Sequence, residues 1–309
     1  MDISEYQETW EKYSTVRTCP PRVFTPDLLS SRVFSKEKNV LFSHPDVLLM
    51  SEKDQNYTLT QSAYWYMAAI ALIESEVINK IATKIANGRY KFDFLSTIKQ
   101  AAWTIVIDEA YHAYVADDCI LQIAKLTGIS PVRFPKTTQL SKAIRCTKDK
   151  INKENHPLFE VIAICIAENT LTQDILLNSK VEGNNAFYQR VLKDHLMDEG
   201  RHSQYFKYIL NFVWKNIDNS MQLYMADIII SFIKEYLSVE IDKEVSSIIL
   251  HQTALPPATI NNILDDCYLP PVINPTHHLL KNIMKLFNYC GMLNDEKIVQ
   301  KFQLAGLVY

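Results

Sequence analysis

The chain contains Asp108-Glu109-Ala110-Tyr111-His112 and, far downstream, Asp198-Glu199-Gly200-Arg201-His202. Both read Asp-Glu-x-x-His. A Glu and a His three residues apart share one face of an α-helix, so each copy aims a carboxylate and an imidazole at one point. Random order would give roughly 0.03 such matches in a chain of this kind, so two matches ask for a common cause. A fold that uses both copies must set two helices face to face. One further Glu from each of two other helices would complete a two-metal carboxylate site inside a helical bundle. For either copy alone, a solvated Glu-His pair is the alternative, and the surrounding residues must decide.

Composition favours helices. Only 6 of 309 residues are Gly. Several long stretches hold neither Gly nor Pro, whereas β-rich folds need many turns. Hydrophobic residues make up 48% and charged residues 22%, as in ordinary globular proteins. A net charge of -3 gives no general attraction to nucleic acid or to an anionic membrane. The apolar runs, such as Ile228-Ile229-Ile230, are too short to span a bilayer. Cys19, Cys119, Cys146, Cys165, Cys267 and Cys290 are scattered, with no Cys-x-x-Cys. Reduced thiols in a cytoplasmic protein are expected. The opening Met1-Asp2-Ile3-Ser4-Glu5 has no basic region leading into an apolar run, so no signal peptide is expected.

The pattern predicts a single all-α domain over 1–309, built on a four-helix bundle at about 58–215. An N-terminal arm (1–57) and C-terminal helices (218–309) flank it. The arm opens with an amphipathic segment at 3–13 and then reads as irregular, with at most one short helix. Bundle helices are expected at about 58–86, 94–126, 157–179 and 185–215. Thr58 or Thr60 would cap the first, Gly88 would follow it, and Gly128 would end the second. A basic helix is expected around 140–153. Further helices are expected at 223–237, 245–251, 259–267 and 276–289, with breaks at Pro256-Pro257 and Pro270-Pro271.

Helical spacing then selects candidate ligands. Glu109 and His112 lie on one stripe with Ile98, Ala102, Ile105 and Ala116, so they should point inward. Glu74 shares a face with Ile70, Val77, Ile78 and Ile81, whereas Glu76 lies with Lys80 and Thr83 on the polar side. Glu168 is the one Glu inside its apolar segment. His195, Glu199 and His202 fall within roughly 60° on the helical wheel. The set is Glu74, Glu109, His112, Glu168, His195, Glu199 and His202. Four carboxylates neutralise two divalent cations, and mixed oxygen and imidazole ligation suits iron or manganese. Asp108 and Asp198 are candidates to accept hydrogen bonds from the far nitrogens of ligating histidines. Zinc-protease spacing, phosphate loops and dinucleotide glycine fingerprints are absent. His44, His156 and His251 lack metal partners in the sequence, and the adjacent His277-His278 reads as a surface or capping pair.

This pattern resembles the ferritin-like di-iron carboxylate proteins and, more narrowly, the p-aminobenzoate N-oxygenase (AurF-like) family. Glu74, Glu109/His112, Glu168 and Glu199/His202 match the common di-iron set. His195, one turn before the last Glu, matches the third histidine of the N-oxygenases. The resemblance covers about 60–215 and implies Glu109 and Glu199 as bridges between two irons. Glu74 and His112 would complete one iron, and Glu168, His202 and His195 the other. It implies catalytic roles for Glu109, Glu199 and His195, with O2 activated as a peroxo-diferric species and an amine oxidised to hydroxylamine, nitroso or nitro. The setting would be natural-product biosynthesis. Expected partners are O2, an external electron donor or reductase, and a free or carrier-protein-bound amine, with a homodimer left open. The family places an arginine about five residues before its first ligand to hold a substrate carboxylate. Here that position is Ala69, which points away from a free aminobenzoate. Tyr66, Trp103 and Tyr111 are candidate pocket residues. Carbon hydroxylation or desaturation, and iron binding without turnover, are the alternatives.

Overall fold

The structure is a computed structural model that describes residues 3–30, 32–180 and 185–309. Helices α1 (Ile3–Tyr13), α2 (Thr15–Thr18) and α3 (Pro45–Leu48) lie in the arm, with 3-10 turns at Pro26–Ser30, Lys36–Lys38 and Val40–Ser43. The arm is thus more ordered than its weak periodicity implied. Its turns are closed by local side chains: Ser35 accepts from the Glu37 amide, Asn39 from Leu41 and His44 from Asp46.

The first bundle helix starts earlier than expected. It runs as α4 (Glu52–Ile73), a π-helical turn (Glu74–Ile78) and α5 (Asn79–Ala86). Its cap is Ser51, whose hydroxyl accepts from the Asp54 amide at 3.1 Å. Thr58 and Thr60 are not caps. They lie inside the helix, and their hydroxyls donate back to the Asp54 and Asn56 carbonyls. The second bundle helix, α6 (Ser96–Thr127), ends at Gly128, which takes a φ of +71° that a side chain would strain. After α7 (Gln139–Lys148) come the remaining bundle helices, α8 (His156–Ser179) and α9 (Ala186–Lys215). Then follow α10 (Asn219–Tyr236), α11 (Glu240–Leu250), α12 (Pro257–Cys267), α13 (His278–Tyr289) and α14 (Glu296–Leu304). The last of these has no counterpart in the expected elements, although Asp295 caps it through the Lys297 amide. Among the described residues there is no strand.

The architecture is the all-α, ferritin-like bundle with added terminal helices. The α4–α5 helix packs on α6, α8 packs on α9, and α6 meets α9 across the centre. Hydrogen bonds from Gln61 to Ser130, from Tyr64 to Ile129 and from Asn79 to Val106 show α4–α5 running antiparallel to α6. Helices α1 and α2 lie on α6 and α9. Helix α13 covers α8, α10 packs on α7 and α8, and α11 packs on α4.

Among the described residues the bundle core is divided in two, and a small third cluster sits on α11. One apolar cluster holds Ile98, Ala102 and Ile105 of α6 with Ile162 and Ile166 of α8 and Tyr205 and Ile209 of α9. A second holds Leu59 and Met67 of α4 with Ala116 and Ile123 of α6 and Tyr188 and Leu192 of α9. The segments Asp108–His112 and His195–His202 fall between them, in a buried polar layer across the middle of the bundle.

Candidate metal centre

Each bundle helix contributes to this layer. Glu74 comes from the π turn, Glu109 and His112 from α6, Glu168 from α8, and His195, Glu199 and His202 from α9. All seven are buried. A π turn inserts one extra residue and re-aims the side chains around it, and such turns are frequent at functional sites. Here it carries Glu74 inward and leaves Glu76 exposed, paired with Lys80.

Two groups of four side chains have potential ligand atoms within 4.8 Å of one another. One is Glu74, His112, His195 and Glu199, and the other is Glu109, Glu168, Glu199 and His202. Glu199 belongs to both. His195 Nε2 lies 2.8 Å from Glu74 Oε1, and His202 Nδ1 lies 2.8 Å from Glu109 Oε1. His112 Nδ1 stands 3.7–3.9 Å from Glu74, Glu109 and Glu199, and its ring stacks on that of His195 at 4.1 Å between centroids.

The grouping differs from the division implied by the family resemblance in two respects: Glu109, implied as a bridge, falls in the second group alone, and His195 sits with Glu74 and His112, not with Glu168 and His202. Helix geometry accounts for the place of His195. His195 precedes Glu199 by about one turn and His202 follows it by about one turn. The two imidazoles therefore start about 10 Å apart along α9. They reach opposite ends of the layer, with Glu199 between them.

The donor set fits a pair of divalent cations. Both oxygens of Glu168, Glu109 Oε2, Glu74 Oε2 and His112 Nδ1 are buried without a hydrogen bond, and Glu109 Oε1 and His202 Nδ1 meet at 2.8 Å outside hydrogen-bond geometry. An unsatisfied buried polar group costs about 1–3 kcal/mol. Gathering so many in one layer is favourable only if another species satisfies them together. The buried Glu and His groups are compatible with iron.

Electrostatics in the protein without metal point the same way. Burial raises Glu74 to about 7 despite the opposing pull of His195. Burial, then the charges of Glu199 and Glu109, hold Glu168 well above the carboxylate range. Burial works against protonating the histidines, but the carboxylates outweigh it. Asp198 and Glu109 raise His112 well above its ordinary value, Glu109 and Asp108 do the same for His202, and Glu74 and Glu199 bring His195 to about 9. Glu109 and Glu199 stay ionised despite burial because the histidines face them. Cations entering the site would displace these protons.

Behind the site the two motifs brace each other crosswise. His112 Nε2 is 2.9 Å from Asp198 Oδ2, and His202 Nε2 is 3.2 Å from Asp108 Oδ2. Each aspartate thus holds the histidine of the other copy. An Nε2–H donated to a carboxylate fixes the tautomer that leaves Nδ1 facing the centre. Arg201 lies between the aspartates, against Asp198 and 3.5 Å from Asp108. The His112 imidazole, then a hydroxyl bond from Thr15 and the Arg201 charge, hold Asp198 well below the usual carboxylate range despite burial. Sequence reasoning missed Arg201, Trp10 and Thr15. Trp10 Nε1 donates to Asp108 Oδ1 at 2.8 Å, and the Thr15 amide donates to Asp198 at 3.2 Å. The one available signal was that Arg201 stands where the first copy has Tyr111.

A largely apolar cavity reaches the site from the His112 and His195 side. Met67, Val115, Phe187 and Val191 line it, and so does Tyr111. Tyr66 instead donates its hydroxyl to Asp174, and Trp103 faces solvent. The charged residues of the lining besides the histidines are Arg22, Asp118 and Asp194. Arg22 is tied to Asp194, with Nη2 2.8 Å from Oδ1. Histidines outside the layer have local partners: His44 caps α3, His156 lies 2.9 Å from the Lys148 carbonyl, and His251 lies 2.7 Å from the Ser247 carbonyl. His277 and His278 stack on each other at the start of α13. Among the described residues no helix is long and apolar enough to cross a membrane.

The family model described as p-aminobenzoate N-oxygenase AurF matches residues 26–249. No curated protein matches the chain.

Proposed function

Because the chain belongs to the p-aminobenzoate N-oxygenase AurF family, a family of di-iron enzymes, we propose that it is an O2-dependent N-oxygenase of an amine that lacks the carboxylate of p-aminobenzoate. The observation that carries this reading is the buried donor set of four carboxylates and three imidazoles, of which Glu74, Glu109, His112, Glu168 and His202 keep atoms without a hydrogen bond. Glu74, His112 and His195 would hold one iron, Glu168 and His202 the other, with Glu109 and Glu199 contacting both groups. Bound iron would supply O2 activation with electrons from an external donor.

The chain's own residues do the rest. Asp108 and Asp198 hold the imidazole protons at Nε2 of His202 and His112, which keeps each Nδ1 free for a cation. The apolar walls of the cavity exclude water, and His195 stands where that cavity meets the site. An amine nitrogen approaching through the cavity would meet the His112–His195 side first. With Arg22 committed to Asp194, the remaining charge on the lining is Asp118, and together with Ala69 where the family has its arginine it favours an amine over an anion. An aliphatic or carrier-bound amine is the substrate class this supports, in natural-product biosynthesis inside the cell.

The test loads the protein with Fe(II), supplies a reductant and O2, and follows a panel of amines by mass. Oxygen incorporated at nitrogen is the expected result. Iron uptake with no amine oxidised would leave a ferritin-like iron binder, and oxygen at carbon would make it a hydroxylase. His195→Ala should keep the fold, weaken metal binding in the Glu74–His112 group and largely abolish N-oxygenation. Full activity in that variant would remove His195 from the ligand set.

A further inference from the structure

We propose that the N-terminal arm is a positioning element of the metal centre, acting through Trp10 and Thr15 on the two aspartates behind the histidines. This rests on the metal-binding reading above.

Trp10 lies on α1, buried between α6 and α9. An indole N–H can only donate. It donates to Asp108 Oδ1 at 2.8 Å, while the other oxygen of that carboxylate faces His202 Nε2. The indole therefore fixes the rotation of the carboxylate that orients His202. On the other side, the Thr15 amide and hydroxyl both donate to Asp198. Its Oδ2 also faces His112 Nε2. One short stretch of the arm thus contacts the aspartate of each motif copy. Arg201 adds a charged donor to each aspartate, and Trp10 and Thr15 add neutral ones from the arm.

Trp10 and Thr15 both precede residue 26, where the family match begins. The brace thus lies outside the matched segment, in the arm, while the ligands it supports lie within that segment. The arm continues through Cys19–Arg22 along the wall of the cavity. A tryptophan serving packing alone could give its N–H to any backbone carbonyl. Its use on a carboxylate already committed to a candidate ligand is what distinguishes a positioning role.

The experiment compares the wild type with Trp10→Phe, Thr15→Val and Thr15→Ser in the full chain. Each metal-free protein is titrated with Co(II), with visible d–d absorption as readout, and its thermal midpoint is measured separately. Outer hydrogen-bond partners of metal ligands are typically worth 10–100-fold in affinity. Trp10→Phe and Thr15→Val should weaken Co(II) binding by about that factor and alter the d–d bands. Their metal-free midpoints should stay near that of the wild type, and Thr15→Ser, which keeps the hydroxyl, should bind as the wild type does. Unchanged affinity and spectrum in Trp10→Phe and Thr15→Val overturn the proposal. So does a loss of affinity matched by a collapse of the metal-free midpoint, which would make both residues packing elements. A wild type that takes up no Co(II) sinks the metal reading itself, a result separate from either.

Discussion

Glu168→Met should stabilise the metal-free protein and destabilise the metal-loaded one relative to wild type. Glu168 is fully buried on α8, and neither carboxylate oxygen has a hydrogen bond. Without metal, burial keeps its carboxyl neutral, an unpartnered polar group in the core. Such a group costs about 1–3 kcal/mol, which Met at similar volume would remove. Unfolding entropy is about 2.1 cal/mol/K per residue, or about 0.65 kcal/mol/K for a chain of 309 residues. The metal-free midpoint should therefore rise by about 2–5 °C. With cation at about 1,000 times its dissociation constant, each filled site adds about 4.1 kcal/mol, or about 6 °C. The variant should lose this gain at the group formed by Glu109, Glu168, Glu199 and His202. Differential scanning calorimetry, after chelator dialysis and again after adding Mn(II), should show the order of melting reverse. A metal-free variant that melts below wild type, or equal metal-induced shifts in both proteins, would refute the reasoning.

Arg201→Met should cost about 3–5 kcal/mol, because it leaves Asp108 and Asp198 buried without their shared cation. Urea titration would show this as a lower midpoint. Ser51→Ala should cost about 1 kcal/mol by removing the cap of α4, also read by urea. For pH, His195 in the folded, metal-free protein is raised to about 9 from an ordinary value of about 6.5. Its contribution is full below about pH 6.5 and is lost as pH rises through about 9. The metal-free melting temperature should fall across that window while metal affinity rises, since fewer protons must be displaced. A melting temperature that climbs from pH 6.5 to 9 without metal would contradict the assignment.

Much of the site was legible because helix periodicity fixes direction. Once Glu109 and His112 shared a stripe with Ile98, Ala102 and Ile105, their inward aim followed, and Glu168 was marked by its apolar surroundings. Glu74 was separable from Glu76 because their neighbours differ in polarity. What periodicity lacks is any record of which helix faces which. The crossed pairing of Asp108 with His202 and of Asp198 with His112 exists only after α6 and α9 meet. The same limit hides Trp10, whose acceptor is remote in sequence. The place of His195 beside Glu74 follows from rise along α9, which the wheel projection discards. The start of α4 was missed because Thr58 and Thr60 offer the same cap chemistry as Ser51, and only the backbone distinguishes a terminal hydroxyl from an internal one.

The π turn at Glu74–Ile78 has a consequence for how this chain tolerates changes in length. A π turn is a helix with one residue too many, so removing one residue there restores regular winding and leaves the flanking segments Glu52–Ile73 and Asn79–Ala86 in place. Elsewhere in this helix a deletion would turn every following side chain by about 100°. Here it would cost only the aim of Glu74. A one-residue deletion in this turn is thus the change by which the bundle could survive intact and still lose a carboxylate from its centre.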